Sequence, residues 1–370
     1  GKTRTLTEEW DRSPHALVWS PDGKTLLVTA EEHGRMKVFA VDVASGRPKE
    51  LLGDHFNRSL AVTSASPSAG ERILVGQDSL TGPTEIWSAR NDGSDLRRLT
   101  HINDDRITLA QVSMPDEFWF AGVRGDRVHA WILKPVPFGS GRQYPVAVII
   151  HGGPQGAICD EFHNRWNLQA FAGAGYAVLA VNFHGSTGFG QRFTDSISGD
   201  WDTSFDDVMK GLDHALTACP WMNPDRVGAL GASFGGWMIN WINGHTNRFK
   251  CLVNHAGVFD VPSFYYMTEE LWFPEWELGG VPWEKAELYQ KFSPMAHVAN
   301  WQTPTLVIHG ARDYRCIDAG GIAAFTALQR RRIPSQLLYF PDEGHWILNR
   351  KNSIVWYDTV IGWLNRWLSD

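Results

Sequence analysis

From Tyr144 onward the chain alternates short, continuously apolar runs with longer amphipathic stretches, and no other feature restricts its fold as strongly. The runs at 146–150, 177–182, 227–231, 251–254, 305–309 and 336–339 read as strands buried on both faces, which predicts a mostly parallel sheet covered by helices on either side. Between them, Phe205, Val208, Met209, Leu212 and Leu216 recur at helical spacing and direct one apolar stripe toward the sheet. Ile354, Tyr357, Ile361, Leu364 and Leu368 repeat the pattern at the C-terminus and predict a docked final helix.

Residues 1–135 follow another grammar, with short alternating segments broken by turn residues, as in antiparallel β-structure. Ser20-Pro21-Asp22-Gly23 recurs as Ser66-Pro67-Ser68-Ala69-Gly70. Val38-Phe39-Ala40 followed by Ser45-Gly46 recurs as Ile86-Trp87-Ser88 followed by Asp92-Gly93, and Leu51 recurs as Leu99. The offset from Phe39 to Trp87 and from Leu51 to Leu99 is 48 residues, the length of one propeller blade. Two blades cannot close a propeller, so residues 1–135 are expected to be the C-terminal blades of an incomplete one, with residues 136–370 forming the α/β domain. The remaining blades would come from the same longer polypeptide or from a companion chain, because bare blades leave sheet edges unpaired. A small, repetitive β-sandwich is the alternative.

Composition narrows the function. With 34 Lys plus Arg against 41 Asp plus Glu and no basic stripe, nucleic acid is not an expected partner. No apolar run approaches the ~18 residues of a membrane span, so no membrane partner is expected. The chain opens on Gly1-Lys2-Thr3 without an initiator Met, so the lack of a leader at its start excludes no compartment. Cys159, Cys219, Cys251 and Cys316 are widely spaced with no CxxC pair, which predicts free thiols and neither a zinc site nor a disulfide framework. No metal or cofactor is expected.

The strongest local signal is Gly231-Ala232-Ser233-Phe234-Gly235, set between the strand at 227–231 and a helix at 237–243. A serine on a tight strand-to-helix turn has strained backbone angles, and small residues two before and two after it let neighbouring segments pass closely. Its hydroxyl then stands exposed at a helix N-terminus, where developing negative charge is favoured. Serine needs a base, and the base needs a carboxylate to fix its tautomer. In α/β-hydrolases the chain order is serine, acid, histidine. Asp313 follows the strand at 305–309, and His345 follows the strand at 336–339 through Pro341-Asp342-Glu343-Gly344. Both lie beyond strand C-termini, where ligands gather in open α/β sheets. His309 and His255 rival His345, although core roles suit them better. Asp318 and Asp342 rival Asp313, the first as a helix cap and the second as part of the turn that delivers His345. For the oxyanion, the Phe234 N–H is one expected donor. The Gly153 N–H, in the loop His151-Gly152-Gly153-Pro154, is the other, unless these glycines only make a turn.

The runs HGGPQGA, NFHGSTGFGQ, GASFGGWMINWI, HGARDYR and FPDEGHW, in that order, resemble the prolyl oligopeptidase family of serine peptidases, and more narrowly its dipeptidyl peptidase V and acylaminoacyl-peptidase branch. The likeness runs from about Val112 to the C-terminus and implies an α/β-hydrolase domain preceded by a propeller. It implies Ser233, Asp313 and His345 as the triad, with Gly153 and Phe234 as oxyanion donors. It further implies that Arg315 binds a substrate carbonyl and that Trp237, Phe264, Tyr265 and Tyr266 wall the side-chain pocket, although these aromatics suit a core equally well. Two positions depart from the usual pattern: His184 stands where an arginine is common, and Cys316 where an aliphatic residue is. Glu269 and Glu270 are candidate acceptors for a peptide α-ammonium, or simply a helix surface.

The resulting expectation is acyl transfer on short peptides, most simply release of N-terminal dipeptides. Acylaminoacyl or esterase-like hydrolysis is the alternative, and a catalytically silent interaction protein the remote one. Relatives of this branch lean toward secreted or periplasmic locations, and a homo-oligomer is compatible with the sequence.

Overall fold

The computed structural model describes residues 3–63 and 70–369. Ser66-Pro67-Ser68-Ala69, one copy of the repeated turn, lies outside the described residues. The chain divides into two compact units.

The first unit is built on two antiparallel ladders. One comprises β1 (Pro14–Trp19), β2 (Thr25–Glu32), β3 (Arg35–Asp42) and β4 (Pro48–Leu52). The other comprises β5 (Phe56–Val62), β6 (Arg72–Ser79), β7 (Gly82–Arg90) and β8 (Arg97–Arg98). A parallel bridge from Met36 to Phe56 joins them. These are two propeller-type blades in the register that the sequence repeat predicts. Alternation along β2 and β3 gives the first blade two apolar faces. Leu27, Val38 and Leu52 pack with Leu60, Ile73, Val75 and Ala89 of the second blade, while Val28, Ala30, Phe39 and Val41 pack with Trp10. The turn between the third and fourth strands repeats as well. A Cβ on Gly93 would lie 2.4 Å from the Leu51 carbonyl oxygen, and one on Gly46 would lie 1.8 Å from that of Leu6, so both turns require glycine.

The second unit carries an eight-stranded sheet in the order β16-β15-β14-β13-β11-β12-β10-β9. Its strands are β9 (Pro115–Ala121), β10 (Arg127–Leu133), β11 (Tyr144–Ile150), β12 (Ala177–Asn182), β13 (Met222–Ala232), β14 (Cys251–His255), β15 (Thr305–Gly310) and β16 (Ser335–Phe340). From β11 to β16 the pairs are parallel, and β10 runs antiparallel to β12. With the helices around it this is the α/β-hydrolase arrangement. Because β11 has β12 on one side and β13 on the other, the loop that follows it emerges at the point where the strand order reverses.

The division falls at Pro115/Asp116 rather than at 135/136, because β9 and β10 join the second sheet. Two later segments, Ala157–Gln169 and Ser186–Thr194, belong to the first unit. Asp160 explains the first of these: its carboxylate meets His55 Nδ1 at 2.7 Å and accepts the Leu80 N–H at 2.7 Å.

Helix Asp202–Ala218 buries Ser204, Asp207, Val208, Gly211, Leu212 and Ala215, so the predicted Phe205, Met209 and Leu216 flank the contact rather than centre it. The last helix, Arg350–Leu368, buries Trp356, Val360, Trp363, Leu364 and Leu368, leaving Ile354 exposed. Large indoles displace the expected stripe by part of a turn. Among the described residues no helix is long and apolar enough to cross a membrane, and no group of three or more His, Cys, Asp or Glu could hold a metal ion.

Candidate active site

Ser233 ends β13 and opens helix Phe234–His245 with φ 60° and ψ −120°, a conformation disfavoured for a residue bearing a Cβ. The surrounding backbone fixes it there. Its N–H donates to the His255 carbonyl at 3.0 Å, and its carbonyl accepts the Trp237 N–H at 2.8 Å. Close packing explains the small neighbours. A Cβ on Gly231 would lie 2.4 Å from the Gly235 carbonyl oxygen, and one on Gly235 would lie 2.3 Å from that of Ile150. A Cβ on Gly152 would come within 3.1 Å of the Ser233 Cβ, which places loop 151–153 against the serine.

Asp313 is buried beyond β15. One carboxylate oxygen accepts the N–H groups of Arg315 and Cys316 at 3.0 and 2.9 Å, and the other faces His345 Nδ1 at 2.7 Å. Burial alone would raise the carboxyl pKa, but the His309 and His345 rings beside it outweigh that and hold the group below the usual carboxylate range. His345 is delivered by a turn packed on the acid's own loop. Arg312 N–H donates to the Glu343 carbonyl at 2.8 Å, and a Cβ on Gly310 would lie 2.4 Å from the Gly344 carbonyl oxygen. Burial raises the pKa of the Cys316 thiol. His345 and Asp313 are thus directly paired, and Ser233 stands on its strained turn at the end of β13.

The rivals take other places. Buried His309 directs Nε2 at the Cys316 carbonyl oxygen, 2.5 Å away, and His255 is buried at the end of β14. Asp318 is the first residue of helix Asp318–Arg330 and accepts the Tyr339 hydroxyl at 2.5 Å rather than capping. Exposed Asp342 accepts from Asn352 Nδ2 at 3.1 Å.

Gly153 has φ 119°, and the following residues of its loop are tied down by Glu277, which accepts from Gln155 Nε2 at 2.6 Å and Trp201 Nε1 at 2.9 Å. Burial raises the Glu277 pKa. At the head of the same loop His151 stacks on Phe183 at 4.1 Å, and burial pushes its pKa down to about 4, so the ring is neutral at pH 7. Neither Glu277 nor Glu343, whose carboxylate accepts the Leu348 and Asn349 N–H groups at 3.0 Å each, was singled out by sequence reading.

The aromatic residues divide. Phe264 lines a cavity of about 250 Å³ together with Val258, Met267, Met295, Cys316 and Ile317. Tyr265 does not line it, because its hydroxyl turns to Glu275 Oε1 at 2.8 Å. Tyr266 is largely exposed. Trp237 is 1% exposed, stacks on Phe234 and Trp241, and donates its indole N–H to the Phe292 carbonyl at 2.8 Å. It is a core residue and not a wall of that cavity: its ring packs among Trp201, Phe234 and Trp241.

Arg315 stacks over the Trp346 ring at 4.7 Å and pairs through Nη2 with Glu270 Oε1 at 2.8 Å. Glu270 is thus an ion-pair partner rather than a bare helix surface, while Glu269 donates its N–H to the Tyr314 carbonyl at 2.8 Å. His184 fills the position of the usual arginine with its ring between Asp207 and Asp126, at 2.5 and 3.2 Å. Burial would lower its pKa, but these carboxylates raise it instead.

The prolyl oligopeptidase family profile matches residues 162–370. The chain belongs to the prolyl oligopeptidase family. Within the family it is 38% identical over 376 aligned residues to dipeptidyl-peptidase 5 of Schizosaccharomyces pombe, covering all of this chain and 54% of that protein. It is 39% identical over 372 residues to dipeptidyl-peptidase 5 of Trichophyton equinum, covering 98% of this chain and 50% of that protein. Its fold is that of the Pyrococcus horikoshii acylaminoacyl peptidase, with a TM-score of 0.88 at 24% identity over 98% of this chain and 57% of that one. The chain spans about half the length of the curated relatives it matches.

Proposed function

We propose that this chain carries the catalytic unit of a serine peptidase that releases dipeptides from the free amino terminus of short peptides. Ser233 attacks the scissile carbonyl while His345 takes its proton through Nε2, and Asp313 holds the opposite N–H and stabilises the imidazolium. The Phe234 and Gly153 N–H groups receive the oxyanion. His345 then returns the proton to the leaving amine, and a water activated by the same ring hydrolyses the acyl-enzyme. The 2.7 Å contact between His345 and Asp313, together with the strained elbow of Ser233, carries this reading.

The apolar cavity beside Cys316 suits the side chain before the scissile bond, and Arg315, held on Trp346, suits a backbone carbonyl further along the peptide. The far face of the second blade leaves Ile86 and Leu99 about half exposed, which supports further blades from the same polypeptide or a companion chain.

A fluorophosphonate probe tests the chemistry: wild type should be labelled and Ser233→Ala should not. Equal labelling of the two would end the proposal. The likeness to an acylaminoacyl peptidase fold favours a second reading, release of N-acylated residues. Parallel assays of a free-amine dipeptide amide and its N-acetylated twin separate the two readings, with the free amine preferred if the proposal holds.

A further inference from the structure

Two histidines, not one, approach Asp313. His309 stands next to the last residue of β15 and is 0% exposed. Its Nε2 lies 2.5 Å from the Cys316 carbonyl oxygen and 3.5 Å from Asp313 Oδ2. Its Nδ1 has no hydrogen-bond partner among the described residues. That nitrogen faces helix Asp318–Arg330, where a Cβ on Gly321 would come within 2.4 Å of it. A carbonyl oxygen only accepts, so the ring carries a proton on Nε2. His309 is therefore placed as a fixed N–H donor.

An unpartnered buried ring nitrogen is destabilising, and a phenyl ring of similar shape would avoid it. What the phenyl ring would lack is the donor. That donor holds the carbonyl of Cys316, the residue whose N–H holds Asp313 Oδ1. The turn 313–316 is thus fastened at both ends of one residue.

We propose that His309 is a positioning residue for the catalytic acid: its Nε2–H fastens the Cys316 carbonyl, closing the turn that presents Asp313 to His345. This rests on the assignment of Ser233, Asp313 and His345 as the hydrolytic triad. Loss of the donor lets the carboxylate drift from His345, so its larger effect falls on turnover, with a smaller one on binding because Cys316 also lines the cavity.

The test compares His309→Phe, which keeps the ring and loses the donor, with His309→Gln, whose amide can still donate to the Cys316 oxygen. Both are made in the full chain and assayed on a dipeptide amide. The Phe variant should lose kcat by about 10- to 100-fold with KM within about twofold, because sub-ångström misplacement is what costs rate here. The Gln variant should recover most of that loss. The low-field proton resonance of the His345–Asp313 hydrogen bond should move in the Phe variant and return in the Gln variant. If His309→Phe does not fold, His309→Asn replaces it, since its amide is too short to reach Cys316 and the same split is expected. Wild-type turnover in the donorless variant overturns the inference. So does an equal loss in both variants with the resonance unmoved, which would make the ring a space filler. Fluorophosphonate labelling separates the two levels: a reactive Ser233 with an indifferent His309→Phe overturns this inference alone, whereas an unreactive wild-type Ser233 removes the triad and the inference together.

Discussion

Asp313 divides its two oxygens between two tasks: one accepts the N–H groups of Arg315 and Cys316, and the other stands 2.7 Å from His345 Nδ1. Replacing the carboxylate by an amide keeps the first task and reverses the second. In Asp313→Asn the remaining oxygen is retained by the two N–H groups, so the NH2 faces His345 and forces the ring proton onto Nε2. The ring then offers no lone pair to Ser233. Turnover of a dipeptide amide should fall by roughly 10³–10⁴-fold with little change in KM, as measured by steady-state kinetics. A loss below about tenfold would mean that the imidazole does not depend on this carboxylate for its tautomer.

The cavity of about 250 Å³ beside Cys316 is walled on one side by Phe264. Phe264→Ala enlarges it. For substrates with a small apolar residue before the scissile bond, kcat/KM should drop by roughly tenfold, because each lost methylene contact is worth about 1–3 kcal/mol. Substrates with a bulky aromatic residue there should gain by comparison. A parallel change for both classes would show that the side chain binds elsewhere.

Trp237 should matter to stability and not to selectivity. Truncating a fully buried tryptophan to alanine costs about 3–5 kcal/mol. The milder Trp237→Phe keeps most of the packing on Phe234 and Trp241 but strands the Phe292 carbonyl, a loss of about 1–3 kcal/mol. Urea unfolding measures both effects. In the folded Phe variant KM should match wild type for all side chains, and a substrate-dependent KM would return this indole to the pocket wall.

The sheet was legible because a strand covered on both faces must be apolar throughout, and so runs such as 177–182 stand out without any alignment. Ser233 was legible because its turn admits only small residues at 231 and 235, where the structure brings carbonyl oxygens within 2.4 Å of any added Cβ. Asp313 and His345, which the structure pairs, could be named because each follows an apolar strand in chain order. Glu277, Glu343 and His309 carry no such mark. Their partners are side chains remote in the chain or loop backbone, and such hydrogen bonds leave no period behind. Aromatic residues near the elbow were ambiguous for another reason: Trp237 and Phe264 look alike in sequence, and only the direction of each Cβ decides between core and cavity. The unit boundary was misplaced because β9 and β10, which precede the first parallel strand, belong to the second sheet, with β10 pairing β12, and because Ala157–Gln169, which follows β11 in the chain, belongs to the first unit.

Glu85 gives the first unit its own acid sensitivity. Its carboxylate is 4% exposed and accepts from the Thr100 hydroxyl, from the Asn103 N–H at 3.0 Å and from Asn103 Nδ2 at 3.2 Å, with Arg98 Nη2 at 3.3 Å. Burial would raise its pKa, but the Thr100 hydroxyl and the backbone N–H groups of Asn103 and Ile102 outweigh that and push it down to about 2 from an ordinary 4.5. A pKa depressed by folding means that the unfolded chain binds the proton more readily, so the stabilisation is complete above pH 4.5 and is lost as pH falls toward 2. Glu85→Gln should therefore lower stability at pH 7 by about 1–3 kcal/mol, the worth of hydrogen bonds to a charged group. The deficit should shrink as pH falls through that window, because wild type loses the same charge there. Calorimetric unfolding of both proteins at pH 7, 4.5 and 3 checks the sign, and a deficit that stays constant or grows in acid would assign the stabilisation to shape rather than to charge.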